Sequence, residues 1–394
     1  MAVDGQHHAT AAEIVPPSWR DLAVVMATAT LAGASFAMLG PLTTLVTDAA
    51  GWSKLLIGAN AAMHGLGIFL VVPLVSLLLH QLRASGSMQL ALWVAVAGTL
   101  AMPLAVAPAA WFPLRLLVGA AAGLLFVISE ASVNAMAPEA SRGRIIGLYA
   151  TLFSLGYAAG PLVVAVAGHE GWPPFLLAAA ILSLGLVPAR LAGAADHALG
   201  ERERPHGGVL GTLSRTPLPI ATILVFGMIE AAFFALLPLW GLAVGLSERL
   251  SALLLTVWIA GNIVLQTPIG WLGDRFGRRR VLASCLAVAT LALVALHHLA
   301  TVPAALWSLL ALAGAAMGAL YTLSLALLGQ AFRGPEQAAA NTAFIVIFEV
   351  GVVLGPALGG VATHWLGAEA LLLATVLPMV LLLLALPRLR APMA

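Results

Sequence analysis

The sequence predicts an all-α membrane protein of twelve transmembrane helices, arranged as two pseudo-symmetric six-helix bundles. Three observations carry this expectation. First, the 394 residues are 61% hydrophobic and only 9% charged, with a mean hydropathy of +1.03, whereas soluble domains run near ~25% charged. A water-soluble enzyme of this size is therefore excluded, and the apolar content is too high for a disordered chain. Second, the apolar residues fall into twelve runs long enough to span a bilayer, which takes about 20 residues. Third, landmark residues recur at one constant offset between the two halves of the chain.

Taken in order, the first 18 residues are polar and mixed (Asp4, His7, His8, Glu13, Pro16, Pro17) and lack the basic start and cleavage site of a signal peptide. The chain is expected to begin in the cytoplasm. Apolar runs follow at 21–46, 54–79, 87–107, 109–136, 144–168 and 172–191, then at 217–243, 250–273, 279–298, 302–331, 338–364 and 368–388. The 39 glycines and 23 prolines fall largely inside these runs, where membrane helices tolerate them as kinks and close contacts. The one long connection, 192–216, carries Asp196, Glu201, Arg202, Glu203 and Arg204. It separates an N-terminal six-helix half (1–191) from a C-terminal one (217–394) and is expected to be a cytoplasmic linker. Cys285 stands alone in an apolar run, so there is no disulfide framework or cysteine metal site.

The basic residues orient the chain. With the N-terminus inside, Arg20, Arg83, Arg142, Arg144, Arg190, Arg202, Arg204, Arg215, Arg275, Arg278, Arg279, Arg280, Arg333, Arg388 and Arg390 face the cytoplasm, 15 of the 18 Lys and Arg. Only Lys54 and Arg249 lie outside, and Arg115 is within a span. That asymmetry predicts both termini in the cytoplasm and an even number of spans.

The halves match at an offset of 195: Gly156, Gly160 and Pro161 recur as Gly351, Gly355 and Pro356. Pro73 and Pro268, Gly119 and Gly314, Gly123 and Gly318, and His169 and His364 keep the same spacing. A duplicated six-helix unit with a midplane site between the copies is the layout expected of a secondary transporter.

Between the eighth and ninth runs stands GWLGDRFGRRR, Gly270 to Arg280. Its glycines allow close helix approach and a tight turn, and its arginines hold the loop inside and can contact anionic lipid. This segment resembles the loop signature Gly-x-x-x-Asp-Arg-x-Gly-Arg-Arg of the major facilitator superfamily. With the duplication and the six-plus-six layout, the resemblance covers nearly the whole chain. It implies that Asp274, Arg275, Gly277 and Arg278 work as an inward gate. The matching stretch in the first half, Pro73 to Ser87, has lost the Asp and both framing glycines, so the latch is expected to be asymmetric and to rest on Asp274. The bland reading is a topogenic turn. Arg115 followed by Gly119 and Gly123 resembles the family's fourth-span motif, in which a buried Arg handles protons or substrate. Gly147, Gly156, Gly160 and Pro161 resemble a fifth-span pattern associated with exporters and antiporters, although the glycine pair that should follow is Val164 and Ala165. The copy ending Gly359, Gly360 is complete. Such spacing makes a smooth face on which the two halves are expected to slide or rock.

Four spans hold one ionisable group each: Arg115, Glu130, Glu230 and Glu349. Each costs at least ~2.5–3.5 kcal/mol if charged and unpaired at mid-helix, so each must be paired, hydrated or protonated. Glu230 sits mid-bilayer in the seventh span, one of those that line the family's cavity, and is the leading proton carrier; Glu349 and Arg115 join it as proton-coupling candidates. Glu130, near the inner end of the fourth span, is expected to be structural and to pair with Arg83 or Arg142. Phe233, Trp258, Asn262, Gln266 and Tyr321 are the substrate-binding candidates; an aromatic wall beside a carboxylate suits organic cations or amphipathic neutral compounds. Asn60 and His64 share a face of the second span and are expected to bond to one another.

No phosphate loop, metal cluster or nucleophile triad stands out, so an enzyme and an ATPase are not expected, nor a cofactor, a metal or a nucleic-acid partner. The expected function is secondary transport of a small-molecule substrate by alternating access, coupled to protons as export or antiport, by a monomer among the lipids of a bacterial inner membrane. The rivals are an importer in which Arg115 binds an organic anion, and a non-transporting sensor that kept the fold.

Overall fold

The structure, a computed structural model, describes residues 18–105, 107–200, 215–332 and 335–389. The polar start, Glu201 to Arg204, Arg333 and Arg390 lie outside the described residues. Six helices come first: α1 (Trp19–Ala49), α2 (Lys54–Val71), α3 (Val75–Ala101), α4 (Pro108–Met136), α5 (Arg142–Ala167) and α6 (Pro173–Arg190). A short helix α7 (Gly193–Gly200) follows, then α8 (Pro217–Ala243), α9 (Glu248–Phe276), α10 (Arg278–Leu299), α11 (Pro303–Ala331), α12 (Pro335–Leu366) and α13 (Leu371–Ala385).

Among the described residues, eleven stretches have the length and composition of a span, and one of them, Lys54–Leu104, has 51 residues. At 1.5 Å per residue that is about 76 Å, more than twice the ~30 Å hydrocarbon core, so it must cross twice. The helix breaks inside α3 at Arg83, whose φ of 60° and ψ of −176° are non-helical. Among the described residues the crossings therefore number twelve, so the start of α1 and the end of α13 lie on one side, here termed the terminal side.

The helices start where the local chemistry tells them to. Ser18 and Asp21 form a reciprocal capping box on α1, satisfying backbone N–H groups that have no helical partner. Ser53 caps α2 by accepting from the Leu56 N–H (3.3 Å) and Ser247 caps α9 by accepting from the Leu250 N–H (3.4 Å). Pro occupies the first turn of α4, α6, α8 and α11, where its missing N–H costs nothing. Leu184, Val187, Val264, Leu291 and Leu384 are exposed, as side chains in contact with lipid must be.

Glycines fix the packing, and they do so twice. A Cβ on Gly156 or Gly160 would strike Thr30 or Ala34 of α1; on Gly351 or Gly355 it would strike Leu224 or Met228 of α8. Likewise Gly119 abuts His64 and Gly123 abuts Ile68, as Gly314 abuts Trp258 and Gly318 abuts Asn262. The glycines keep the offset of 195, while their partners are shifted by 194 (224 − 30, 228 − 34, 258 − 64, 262 − 68). One packing scheme is thus built in both halves. It also narrows the sliding-face expectation: Gly156 and Gly160 pack inside the first half on α1, and Gly351 and Gly355 inside the second on α8, whereas Pro356 and Gly360 face α2 of the other half.

The connection between the halves begins as structure rather than open loop. Ala192 and Ala195 are buried in the core that holds Ala84, Met88 and Met136. From α7, the Asp196 carboxylate accepts from the Ser85 N–H and hydroxyl, both at 2.7 Å. The helix that restarts after Arg83 is therefore capped by a side chain 111 residues away in sequence.

Candidate functional site

The two halves meet from the midplane to the end opposite the termini. There Gly58 of α2 lies against Pro356 and Gly360 of α12, Gly65 against Val352, and Gly40 of α1 against Phe234 of α8. Thr44 donates to the Ala235 carbonyl (2.7 Å), Thr256 donates to the Ala158 carbonyl (3.4 Å), and His169 Nδ1 lies 3.2 Å from Glu248 Oε2. These contacts close the far end. On the terminal side of the closure, Glu130 and Asn134 are exposed.

Glu230 lies midway along α8, thirteen residues from Pro217 and thirteen from Ala243. Glu349 on α12 is 6% exposed, and its Oε2 has no hydrogen-bond partner among the described residues. The close α8–α12 approach at Gly227, Gly351 and Gly355 packs together the two helices that carry the carboxylates. They lie within electrostatic reach of each other and of the Tyr157 and Tyr321 hydroxyls.

Aromatic rings surround this pair. On α8, Phe226, Glu230 and Phe234 recur every four residues and so share a face. On α5, Tyr149, Phe153 and Tyr157 do the same and stack, with centroids 6.2 and 5.8 Å apart. Tyr157 meets Phe234 across the halves at 4.8 Å, and Phe226 packs on Tyr321 and Phe348 at 5.8 and 6.0 Å. Tyr321 also meets Phe344 at 5.5 Å. The result is two carboxylates walled by aromatic faces contributed by α5, α8, α11 and α12.

Of the five sequence-predicted substrate residues, only Tyr321 is in this wall. Phe233 and Trp258 are 0% and 2% exposed and lie against one another at 4.5 Å, inside the second half. Asn262 packs on Gly318, and the Gln266 amide donates to the Thr322 hydroxyl (3.0 Å). The four-residue spacing of Trp258, Asn262 and Gln266 does mark one face, but it fits the matching ladder Gly314, Gly318, Thr322 on α11. The missed residues, Tyr149, Phe153 and Tyr157, carried the same kind of signal in the fifth span.

Glu130 has no ion pair with Arg83 or Arg142 among the described residues, contrary to the structural pairing expected; its side chain is accessible and within electrostatic reach of Tyr321. Arg115 does not snorkel to the surface. It is 4% exposed, away from the carboxylates and beside His64. No hydrogen bond joins His64 to Asn60: His64 Nδ1 and Asn60 Nδ2 are both without partners among the described residues.

In the Gly270–Arg280 segment, Gly277 takes a φ of 92°, as a tight turn requires. Asp274 accepts from Arg278 Nε and a terminal guanidinium nitrogen (3.1 and 2.8 Å), within its own half. Arg278 also donates to the Ala326 carbonyl (2.9 Å), Arg279 to the Leu386 carbonyl (2.7 Å), and Arg275 stacks near Trp271 (5.4 Å). The arginines thus tie the terminal-side ends of α11 and α13 to the turn. Among the described residues Asp274 makes no hydrogen bond or ion pair with the first half.

The family model for the Major Facilitator Superfamily matches residues 25–253 and 220–393. The uncharacterized MFS-type transporter YfkF of Bacillus subtilis is 24% identical over 84% of this chain and 85% of its own length. Among solved structures, a bacterial homolog of the human lysosomal transporter Spinster, inward-facing and unoccupied, superposes with a TM-score of 0.73 at 14% identity, covering 94% of this chain and 97% of that one. The nucleoside transporter NupG gives a TM-score of 0.73 at 15% identity, covering 94% and 98%. These structural likenesses speak to the fold alone.

Proposed function

The chain belongs to the major facilitator superfamily, and from that premise we propose that it exports small organic solutes, aromatic cations foremost, in exchange for protons across a bacterial inner membrane. Both termini and the linker lie in the cytoplasm on this reading, as the distribution of arginines favours, and the terminal side is the cytoplasmic one. The observation that carries the reading is the juxtaposition of Glu230 and Glu349 at mid-membrane among aromatic faces.

An ionised carboxylate there costs at least ~2.5–3.5 kcal/mol unless something offsets it. A proton offsets it by neutralising the group, and an organic cation does so by pairing with it, its apolar body against Phe226, Tyr157 and Tyr321. The two cannot use one carboxylate at once, so loading the solute displaces the proton. Alternation then requires the far-end contacts to part while the cytoplasmic ends close, and Asp274, Arg275, Gly277 and Arg278 serve that closure. The rival import reading loses ground because Arg115 lies apart from the carboxylate pair.

The test is flux in liposomes holding the purified protein, with ethidium as the probe. An imposed proton gradient is expected to drive ethidium into the more acidic compartment, and collapsing the gradient is expected to stop it. Ethidium movement that ignores the gradient would refute proton exchange.

A further inference from the structure

We propose that Asn60, His64 and Arg115 form a binding site for a compact monoanion, chloride or the carboxylate of a small organic acid, separate from the carboxylate pair. Asn60 and His64 are one helical turn apart on α2, and Arg115 and Gly119 are one turn apart on α4. The two helices run in the same direction, and Gly119 abuts the backbone of His64, so Arg115 stands at the level of Asn60. Phe36 of α1 closes the third side, its ring 6.4 Å from that of His64.

Every member of the cluster is left wanting. Asn60 Nδ2, His64 Nδ1, and Arg115 Nε and one of its terminal nitrogens are buried without a hydrogen-bond partner among the described residues, while Asn60 is 3% and Arg115 4% exposed. The large majority of buried side-chain polar atoms in native proteins have a partner, so several unsatisfied ones gathered in one place call for a ligand. A guanidinium keeps its charge in proteins, and this one has no counter-ion within the described residues. Asp48 is engaged by Lys54, and Glu130 lies fifteen residues, about 22 Å, further along α4. Water would satisfy the hydrogen bonds but not the charge. A compact anion satisfies both, because it can accept from amide and guanidinium N–H donors and neutralise the guanidinium charge.

The experiment uses the purified full chain in detergent, in gluconate buffer at fixed ionic strength, and reads the melting temperature as chloride or acetate replaces gluconate. Saturation is expected to raise it by about 5 °C, and Arg115→Gln is expected to remove the shift. A response to chloride alone identifies an inorganic ion; a response to acetate as well identifies a carboxylate site; both support the proposal. Equal melting in all three anions, or a shift that survives Arg115→Gln, overturns it. Should Arg115→Gln fail to fold, crystals of the unaltered protein in bromide decide: an anomalous peak within hydrogen-bond distance of Arg115 and Asn60 supports the site, and its absence there refutes it. None of these readouts depends on transport, so they stand or fall apart from the proton-exchange reading.

Discussion

Glu230→Gln is expected to abolish proton-driven ethidium movement in liposomes and to weaken ethidium binding at least about tenfold, with the protein still folded. Glutamine keeps the size and shape of the side chain and removes only its charge, so the contacts of Phe226 and Phe234 survive. What is lost is the attraction between a carboxylate and a cation in a water-poor site, about 4 kcal/mol for charges 4 Å apart at an effective dielectric constant of 20. Desolvation of the cation consumes part of this, and a residue of ~1.4 kcal/mol already gives the tenfold figure. The coupling loss is larger because an amide cannot carry the exchanged proton at all. Unchanged flux in a well-folded Glu230→Gln protein would remove this residue from the mechanism.

The second large effect is on stability. Gly355→Ala is expected to cost at least about 2 kcal/mol, within the ~1–3 kcal/mol typical of overpacking, because its Cβ would overlap the Met228 carbonyl, which belongs to a helix backbone and cannot turn aside. Gly147→Ala, in the same motif by sequence, is expected to be neutral or to stabilise by up to ~1 kcal/mol: nothing lies within 4 Å of its Cβ position, and Ala is the better helix former. Melting temperatures of the two variants check this contrast. Comparable losses at both positions would mean that the motif, rather than the local contact, sets the cost.

Much of this was legible in the sequence, for reasons that also mark the limit. Apolar runs and arginine positions reveal the spans because the bilayer imposes length and charge rules on any chain. The offset of 195 reveals the duplication because packing glycines have no substitute where backbones touch. Glu230 stood out because a mid-span carboxylate needs a reason. Which of two adjacent rings reaches the cavity did not stand out: Phe233 and Phe234 differ by ~100° of helix rotation, and only the placement of α9 and α5 around them buries the first on Trp258 and leaves the second to meet Tyr157. Nor does periodicity distinguish a polar face lining a cavity from one fitted into a neighbour, which is why Asn262 and Gln266 looked like ligands. The capping of Ser85 by Asp196 was hidden for a different reason: the first-half turn lacks an acid in its own sequence, and the one it uses arrives from beyond α6.

Exchange of solute for proton at Glu230 is read from proton release on binding. Purified protein in weakly buffered detergent solution, with a pH indicator present, is titrated with ethidium. Release of up to about one proton for each ethidium bound is expected, and no release from Glu230→Gln. Ethidium binding at saturation with no proton released by the unaltered protein would contradict it.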